Sequence, residues 1–181
     1  IHVWHSSNME IRGNEVHGMR DGIYFEFVSE SKVSENLSYD NIRYGLHFMF
    51  SNNDTYFKNE FMNNGAGVAV MFSKYIEMYQ NKFLKNWGSA SYGLLLKEIY
   101  DTEIYENLFQ ENTIGIKGEG CNRINYRNNT FLRNGWAIKI AGACYANIFE
   151  NNDFLNNSLD LAYNTKVNDN KFENNYWSEY S

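Results

Sequence analysis

The sequence predicts an all-β protein, a parallel β-helix whose coils are each about 22–23 residues long. An asparagine recurs at spacings of 22, 23, 22, 26, 22 and 23 residues between Asn14 and Asn152, and from Asn36 onward a second asparagine follows five residues later. Short runs of β-branched and aromatic residues alternate with polar turns, and no stretch has helical periodicity. A repeat of this kind buries its apolar face only by stacking on its neighbours, so we expect three short strands per coil.

The repeated asparagines have two physical explanations. Asparagine tolerates the left-handed backbone of tight turns, and amides stacked from coil to coil can hydrogen-bond along the rod. At the C-terminus we expect Asn170 to open a shortened last unit and Asn175 to be its second asparagine. Two residues after the first asparagine, a stacked aromatic column should fill the core: Phe61, Phe83, Phe109, Phe131, Phe154 and Phe172.

Length and composition favour one elongated domain over residues 1–181. Because the first and last residues fall inside a coil, we expect the sequence to be a fragment of a longer β-helix protein. The net charge of −6 argues against a nucleic-acid surface. No apolar run approaches the roughly 20 residues that a membrane-spanning helix needs, so we expect no membrane insertion.

The strand that follows each recurrent glycine divides into an inner and an outer face by its period of two. Positions one and three after the glycine are mostly aliphatic and should point inward. Positions two and four should point outward, which places His47, Met49 and Met71 together on two adjacent coils. Imidazole and thioether groups suit copper, and thioethers favour Cu(I) in particular. The same residues are also typical of a partner-docking surface or of a plain surface, and the sequence leaves these alternatives open.

The third unit contains a four-residue insertion. Asn81 and Gly93 are twelve positions apart, whereas the other coils use eight or nine. The extra residues should loop out after Asn86 and expose Trp87 and Tyr92 as partner-docking contacts, because insertions in solenoids tend to mark a binding face. The alternative is a tolerated loop whose tryptophan folds back onto the coil.

Two further pairs occupy equivalent positions on neighbouring coils. Arg20 and Arg43 each precede a recurrent glycine by two residues, and we interpret them as a structural or partner-facing pair. Cys121 and Cys144 each lie eight residues before a recurrent asparagine, so stacked coils would bring their Cα atoms to about 4.8 Å. That separation permits a disulfide. The alternative is a pair of small buried thiols.

Five segments resemble the NosD family of periplasmic copper-binding proteins and follow the same order as in that family. These segments are Arg20–Phe27, Arg43–Ser51, Tyr92–Lys97, Asn134–Lys139 and Asn174–Trp177. The resemblance implies a right-handed parallel β-helix that is secreted to the periplasm and associated with ABC transporter subunits. It also implies a maturation factor, not itself an enzyme, that serves assembly of the copper-sulfur centre of nitrous oxide reductase. Its partners would be a copper chaperone and the reductase.

Two other functions compete with copper handling. Many β-helices bind or cleave acidic polysaccharides, a chemistry that gathers carboxylates on one outward face. The seven aspartates are instead scattered along the chain, and no Ser/His/Asp set or Gly-rich phosphate loop is present. The remaining hypothesis is an interaction scaffold that never binds metal.

Overall fold

The structure, a computed structural model, describes residues 1–164 and 169–180. Within these residues the chain forms 23 β-strands and one short 3₁₀ helix, Ser178–Tyr180. The strands are β1 (His2–Ser7), β2 (Glu10–Arg12), β3 (Glu15–His17), β4 (Asp21–Ser29), β5 (Lys32–Ser34), β6 (Leu37–Tyr39), β7 (Tyr44–Met49), β8 (Thr55–Phe57), β9 (Glu60–Met62), β10 (Ala66–Lys74), β11 (Glu77–Tyr79), β12 (Lys82–Leu84), β13 (Leu94–Tyr105), β14 (Leu108–Gln110), β15 (Ile114–Glu119), β16 (Asn122–Arg127), β17 (Thr130–Leu132), β18 (Trp136–Ala141), β19 (Ile148–Glu150), β20 (Asp153–Leu155), β21 (Leu159–Asn164), β22 (Lys171–Glu173) and β23 (Tyr176–Trp177).

The strands stack into three faces of one parallel β-helix. Face 1 contains β1, β4, β7, β10, the first half of β13, β15, β18 and β21. Face 2 contains β2, β5, β8, β11, the second half of β13, β16, β19 and β22. Face 3 contains β3, β6, β9, β12, β14, β17, β20 and β23. Each strand pairs in parallel with its equivalent in the next coil, which confirms the predicted all-β parallel β-helix with three strands per coil.

Four corners turn the chain in each coil between His5 and Asn156, and each corner places one residue in the left-handed backbone region. In one coil these residues are Phe50, Asn53, Lys58 and Asn63, with φ values of 50°, 59°, 55° and 54°. From Asn36 to Asn157 the recurrent asparagines of the two predicted series lie one position after a corner, are buried, and do not have positive φ. The expectation that they adopt the left-handed conformation is therefore wrong, because that geometry falls on the solvent-facing residue before each of them.

The asparagines instead form buried ladders that satisfy the backbone at the corners. The side-chain amide of Asn59 donates to Asn81 Oδ1 at 3.0 Å and to the Val33 carbonyl at 2.9 Å. The same Oδ1 of Asn81 accepts the backbone N–H of Asn59 at 3.0 Å. Buried backbone groups are stable only when they are paired, which explains why asparagine occupies this position in coil after coil. The predicted stacking of amides is confirmed.

A stacked aromatic core runs beside the asparagine ladders on face 3. From Phe61 to Phe154 the adjacent rings have centroid distances of 5.6, 4.5, 4.9 and 5.0 Å. All of these rings are fully buried. The prediction of an aromatic column is confirmed over these coils.

The last coil differs from the prediction. Asn170 accepts the side-chain amide of Asn147 at 2.8 Å, and Asn175 accepts that of Asn152 at 3.0 Å. Asn170 therefore follows Asn147 in its ladder and Asn175 follows Asn152, so Asn170 does not open a shortened unit. Asn147, Asn152 and Asn157 follow one another at intervals of five residues, so a pair of asparagines at this spacing fits either of two ladders. Correspondingly, Phe172 stacks on Phe149 at 4.6 Å, and Trp177 takes the predicted place of Phe172 above Phe154 at 4.1 Å.

Candidate functional site

The outer surface of face 1 carries two columns of side chains that follow the coil register. The first column contains His2, Tyr24, His47, Ala69 and Leu95. The second column contains Trp4, Glu26, Met49, Met71 and Lys97. The residues between the columns, such as Leu46 and Phe48, point into the core and are fully buried. The structure thus places His47, Met49 and Met71 on neighbouring positions of the outer surface.

His47 lies on the outer surface but is covered by aromatic rings. Its ring packs against Tyr24 at a centroid distance of 4.9 Å and against Tyr44 at 4.8 Å, and the residue is only 5% exposed. His2 extends the stack on the other side of Tyr24, also at 4.9 Å. Among the described residues, neither Nδ1 nor Nε2 of His47 has a hydrogen-bond partner. Buried polar atoms in native proteins are almost always paired. Ser91, Asn125 and Tyr126 each have one such unpaired atom among the described residues, whereas both ring nitrogens of His47 lack a partner.

Burial keeps His47 neutral. Desolvation lowers the pKa of His47 from 6.5 to about 4; the carboxylate of Asp21 opposes this shift, and the guanidinium groups of Arg43 and Arg20 add to it. A neutral imidazole keeps a lone pair available for a metal ion at neutral and mildly acidic pH. Protons therefore compete little with a metal at this position.

Met49 and Met71 are direct neighbours in the register between β7 and β10, and equivalent backbone atoms on stacked strands lie about 4.8 Å apart. Both side chains are half-buried. The Tyr24 hydroxyl donates to Met49 Sδ at 4.0 Å, so the ring that covers His47 also touches a thioether. Two thioethers and one neutral imidazole form a soft donor set, which favours Cu(I) over harder cations.

Harder metals have no comparable site in the part of the chain that the structure describes. Residues 1–164 and 169–180 contain no cluster of three or more His, Cys, Asp or Glu side chains that could hold a metal ion. Structural zinc and calcium sites are built from such clusters.

A groove of about 350 Å³ adjoins the His47 ring stack. It is lined by Arg43, Tyr44, Ala90 and Tyr92, among others. Tyr44 belongs both to this groove and to the stack that covers His47. Two of the predicted docking residues, Arg43 and Tyr92, are therefore brought next to the candidate ligands by the fold.

Arg20 and Arg43 bind the same carboxylate. Arg43 pairs with Asp21 of the preceding coil at 3.0 Å and stacks its guanidinium over the Tyr44 ring at 4.6 Å. Arg20 contacts Asp21 at 3.2 Å, and its side chain is mostly exposed. The Asp21 pair joins two coils, so Arg43 has a structural role whatever partner it faces.

The predicted insertion loops out between β12 and β13, and Trp87 is 64% exposed. The Thr113 hydroxyl fixes the loop: it accepts the Gly88 N–H at 2.9 Å and donates to the Gly88 carbonyl at 3.1 Å. A side chain at Gly135 would contact the Trp87 ring, so the indole leans toward the C-terminal coils. The structure does not bring Trp87 to His47.

Cys121 and Cys144 occupy one inward column and are fully buried. In the structure they are separate thiols, and Cys144 Sγ accepts the backbone N–H of Cys121 at 3.1 Å. Ser51 and Ser73 hold the equivalent places in earlier coils and accept the same kind of bond. Burial raises the pKa of the Cys121 thiol. A disulfide between the two stays a prediction.

A row of exposed rings at the corner after face 1 was not identified from the sequence. His5, Phe27, Phe50 and Phe72 stack with centroid distances of 4.7, 5.1 and 5.1 Å, and we call these four residues the aromatic corner ladder. The three phenylalanines are 44%, 39% and 41% exposed. The sequence contains a pattern that predicts this row, because each of the three phenylalanines follows a recurrent glycine by five residues.

Solved structures share this fold at low sequence identity. A double mutant of the periplasmic alginate epimerase AlgG is 15% identical, with a TM-score of 0.78 over 94% of this chain and 47% of that chain. DFA-IIIase from Arthrobacter chlorophenolicus, solved without its lid, is 13% identical, with a TM-score of 0.70 over 93% of this chain and 45% of that one. Tailspike protein 2 of an Escherichia coli bacteriophage is 14% identical, with a TM-score of 0.72 over 90% of this chain and 25% of that one.

The chain spans less than half the length of each of these three proteins, and at such identities the likeness concerns the fold alone. No curated protein matches the sequence. In the described residues, no helix is long and apolar enough to cross a membrane.

A family match covers the whole sequence. The sequence model of the family described as periplasmic copper-binding protein (NosD) matches residues 1–181. The match agrees with the resemblance of the five segments noted in the sequence. The chain therefore belongs to the NosD family of periplasmic copper-binding proteins.

Proposed function

We propose that this chain handles Cu(I) on face 1, with His47, Met49 and Met71 as ligands, during the maturation of nitrous oxide reductase. One observation carries the proposal: the covered, neutral imidazole of His47 has no partner for either nitrogen among the described residues, and two thioethers lie in the neighbouring column. Membership of a family described as copper-binding supports copper as the cargo.

Cu(I) would relieve an unfavourable state of His47. A buried polar group without a partner costs about 1–3 kcal/mol, and coordination would satisfy one of the two nitrogens. Both nitrogens are covered, and the rings packed on the imidazole are those of Tyr24 and Tyr44. Rotation of one of these side chains therefore has to open the path for the ion. Copper entry would be coupled to a local ring movement.

The donor set suits a protein that passes copper on. An imidazole and two thioethers are neutral ligands, so they hold Cu(I) less tightly than thiolates would. The two cysteines point into the core and do not contribute. Half-buried thioethers can be displaced one at a time by the ligands of an incoming partner. We therefore expect the protein to exchange Cu(I) with a partner and not to store it permanently.

We further propose that the chain acts in the periplasm, without catalysis of its own, together with ABC transporter subunits, a copper chaperone and nitrous oxide reductase. The resemblance to NosD proteins is what supports these partners. The groove beside Arg43 and Tyr92, and the exposed Trp87, are the docking contacts that we assign to them.

The second candidate function is that of a carbohydrate-binding or polysaccharide-cleaving protein. The fold likeness to the alginate epimerase AlgG favours it. Cleavage, however, needs carboxylates gathered at one site, and the seven aspartates are scattered along the sequence. Incubation with polymannuronate, followed by mass spectrometry for shorter or unsaturated products, tests cleavage, and retention of the protein on immobilised polymannuronate tests binding.

The copper proposal is tested by an anaerobic competition titration of Cu(I) against a chromophoric chelator. The site variant combines His47→Ala, Met49→Leu and Met71→Leu. Its matched control removes the same residue types elsewhere, as His17→Ala, Met9→Leu and Met19→Leu. We expect the wild type and the control to compete equally, and the site variant to bind about 100-fold more weakly, which corresponds to about 2.7 kcal/mol.

X-ray absorption of the loaded protein supplies a readout besides affinity, because sulfur scatterers around copper report thioether ligation. Wild type that never competes with a weak chelator would refute the ligand assignment. Equal losses in the site variant and the control would also refute it. Circular dichroism of both variants separates either result from misfolding.

A further inference from the structure

We propose that the aromatic corner ladder is a protein-docking surface, and that a pocket at its end receives an aromatic side chain of the partner next to a carboxylate. The proposal does not rest on copper binding. It rests on where exposed rings occur, how they are oriented, and which charges surround the last one.

The rings are not needed to turn the chain. Eight residues after each phenylalanine of the ladder, the same coil turns again at Glu35, Lys58 and Gln80. The φ values at these polar corners are 56°, 55° and 54°, against 53°, 50° and 54° at the phenylalanines. Polar residues thus form the same corner in the same coils. Three exposed phenylalanines in a row need another explanation.

The orientation of the rings favours protein over sugar as the occupant. Adjacent rings in the ladder are nearly parallel, with interplanar angles of 13°, 9° and 11°. Their faces therefore cover one another, and ring edges meet the solvent. The strip extends over three coil spacings, about 14 Å, and the exposed Trp4 adds to it by packing edge-on against His5 at 4.5 Å. Continuous apolar surface of this kind is typical of a protein contact, whereas sugars stack on ring faces.

The ladder ends at a pocket. Glu98 follows Phe72 in the corner column, and no ring continues the stack in the described coils. A cavity of about 610 Å³ opens there, lined by Phe72, Lys74, Lys97, Glu98 and Tyr100, among others. The Glu98 carboxylate accepts the Tyr100 hydroxyl at 2.8 Å. An aromatic side chain of a partner can therefore enter as the next ring of the stack.

The charges at the pocket select the partner's neighbouring residue. Lys74 and Lys97 both line it, and neither belongs to an ion pair among the described residues. The Lys74 ammonium also lies over the Tyr75 ring at 5.3 Å. Two ammonium groups against the single carboxylate of Glu98 leave the lining net positive, which favours a carboxylate next to the inserted ring. Met71 lies directly before Phe72, so a partner held here would also reach the outer columns of face 1.

The test uses fluorescence anisotropy in metal-free buffer, with a labelled ten-residue peptide that carries one tryptophan between two glutamates. The ladder variant combines Phe27→Asn, Phe50→Asn and Phe72→Asn, because asparagine is compatible with left-handed corners. The matched control combines Glu35→Asn, Lys58→Asn and Gln80→Asn at the polar corners. We expect the ladder variant to bind the peptide at least about tenfold more weakly and the control to bind as the wild type does. Among single changes, Phe72→Asn should cause the largest loss.

Peptide variants keep the test decisive even if the ladder variant fails to fold. On the wild-type protein, replacing the peptide tryptophan by alanine should abolish binding. Replacing its glutamates by glutamine should weaken binding several-fold for the wild type but not for a Lys74→Gln, Lys97→Gln double variant. The proposal is overturned if the wild type does not bind the peptide at millimolar concentration, or if the ladder variant and the control bind alike. Binding of oligomannuronate that depends on the three phenylalanines, without peptide binding, would assign the surface to acidic sugar instead.

Discussion

The two halves of face 1 share one backbone arrangement but differ in their outer side chains. The N-terminal coils present an imidazole without a partner among the described residues and two thioethers. The C-terminal coils present Lys117, Glu119 and Lys139 in the same columns. There, Lys117 pairs with Glu119 at 2.7 Å, and Lys139 lies over the Trp136 ring at 4.6 Å. On the outer surface of face 1, the N-terminal half thus contains an imidazole without a hydrogen-bond partner among the described residues, whereas the charged side chains of the C-terminal half contact one another or a ring.

The asparagine ladder does not differ between the halves in this way. The side-chain amide of Asn81 donates to the Asn107 oxygen and to the Tyr56 carbonyl, and Asn129 makes the equivalent bonds to Asn152 and Ile104. The asparagine ladder therefore specifies the fold, and the outer columns are free to vary. The difference between the outer columns of the two halves points to function in the N-terminal coils.

The largest expected effect tests whether the inner ladder is equivalent in both halves. Asn81→Ala leaves the Asn59 N–H and the Tyr56 carbonyl without a side-chain partner, and Asn129→Ala does the same to Asn107 and Ile104. Each change should lower the free energy of unfolding by about 3 kcal/mol, because buried polar groups are left unpaired. Urea denaturation checks this. If the two variants lose amounts of unfolding free energy that differ by more than about 2 kcal/mol, the asparagine ladder does not contribute equally to stability in the two halves.

The second effect concerns an inner column in which the halves do differ. Asp54 is buried, and it occupies the position that Asn147 and Asn170 hold in the C-terminal coils. Its carboxylate accepts the backbone N–H of Ser31 at 2.8 Å. Desolvation raises the pKa of Asp54 from 3.8 to about 7. The folded protein therefore binds a proton that the unfolded chain has released, and stability falls as pH rises from 4 toward 7.

Asp54→Asn should remove this loss, and we expect it to stabilise the protein by about 3 kcal/mol at pH 8 and by little at pH 4. Urea denaturation at the two pH values measures the difference. Asp153→Asn, on an exposed side chain, is the control. An equal effect of Asp54→Asn at both pH values would contradict a raised pKa.

The third effect tests the covered imidazole. The pKa of His47 is about 4 in the folded protein and 6.5 as its ordinary value, so the unfolded chain binds the proton first as pH falls. The contribution of neutral His47 to the free energy of unfolding is fully present above pH 6.5 and is lost as the pH falls from 6.5 to 4. Because His47→Phe has no group that titrates here, its free energy of unfolding should fall by about 2 kcal/mol less than that of the wild type when the pH is lowered to 5. Thermal melting at pH 7.5 and pH 5 provides the comparison, with the exposed His17→Phe as control. If both variants shift alike, His47 does not titrate as a buried group.

Much of the inner structure could be predicted from the sequence. The spacing of Asn36, Asn59 and Asn81 gives the coil length, and the alternation around Leu46 and Phe48 gives the inward side. These predictions succeed because they depend on a local period and on burial, which each coil repeats. The prediction for the last coil fails because a spacing of five residues fits either of two asparagine ladders, and only packing selects between them.

The candidate site could be predicted only in part. The position of His47 on the outer face follows from its period, but its burial depends on Tyr24 and Tyr44. Tyr24 belongs to the preceding coil, and Tyr44 must lean along the same strand. The spacing from the recurrent glycine places Tyr24 in the same column as His47, whereas the lean of Tyr44 is not encoded by spacing. The corner rings were missed for a related reason, because a corner residue such as Phe50 is outside the strand periodicity.

The smallest expected effect belongs to the C-terminal half of face 1. Glu119 raises the pKa of Lys117 through their hydrogen bond, yet the pair is partly exposed, and such pairs contribute about 0.5 kcal/mol or less. Lys117→Ala and Lys139→Ala should therefore change the melting temperature by no more than about 2 °C and leave Cu(I) competition unchanged. Thermal melting and copper titration of the double variant check both points. If the double variant weakens Cu(I) binding as much as the His47 and methionine changes do, the metal-handling surface extends along the whole of face 1, and the contrast between its two halves disappears.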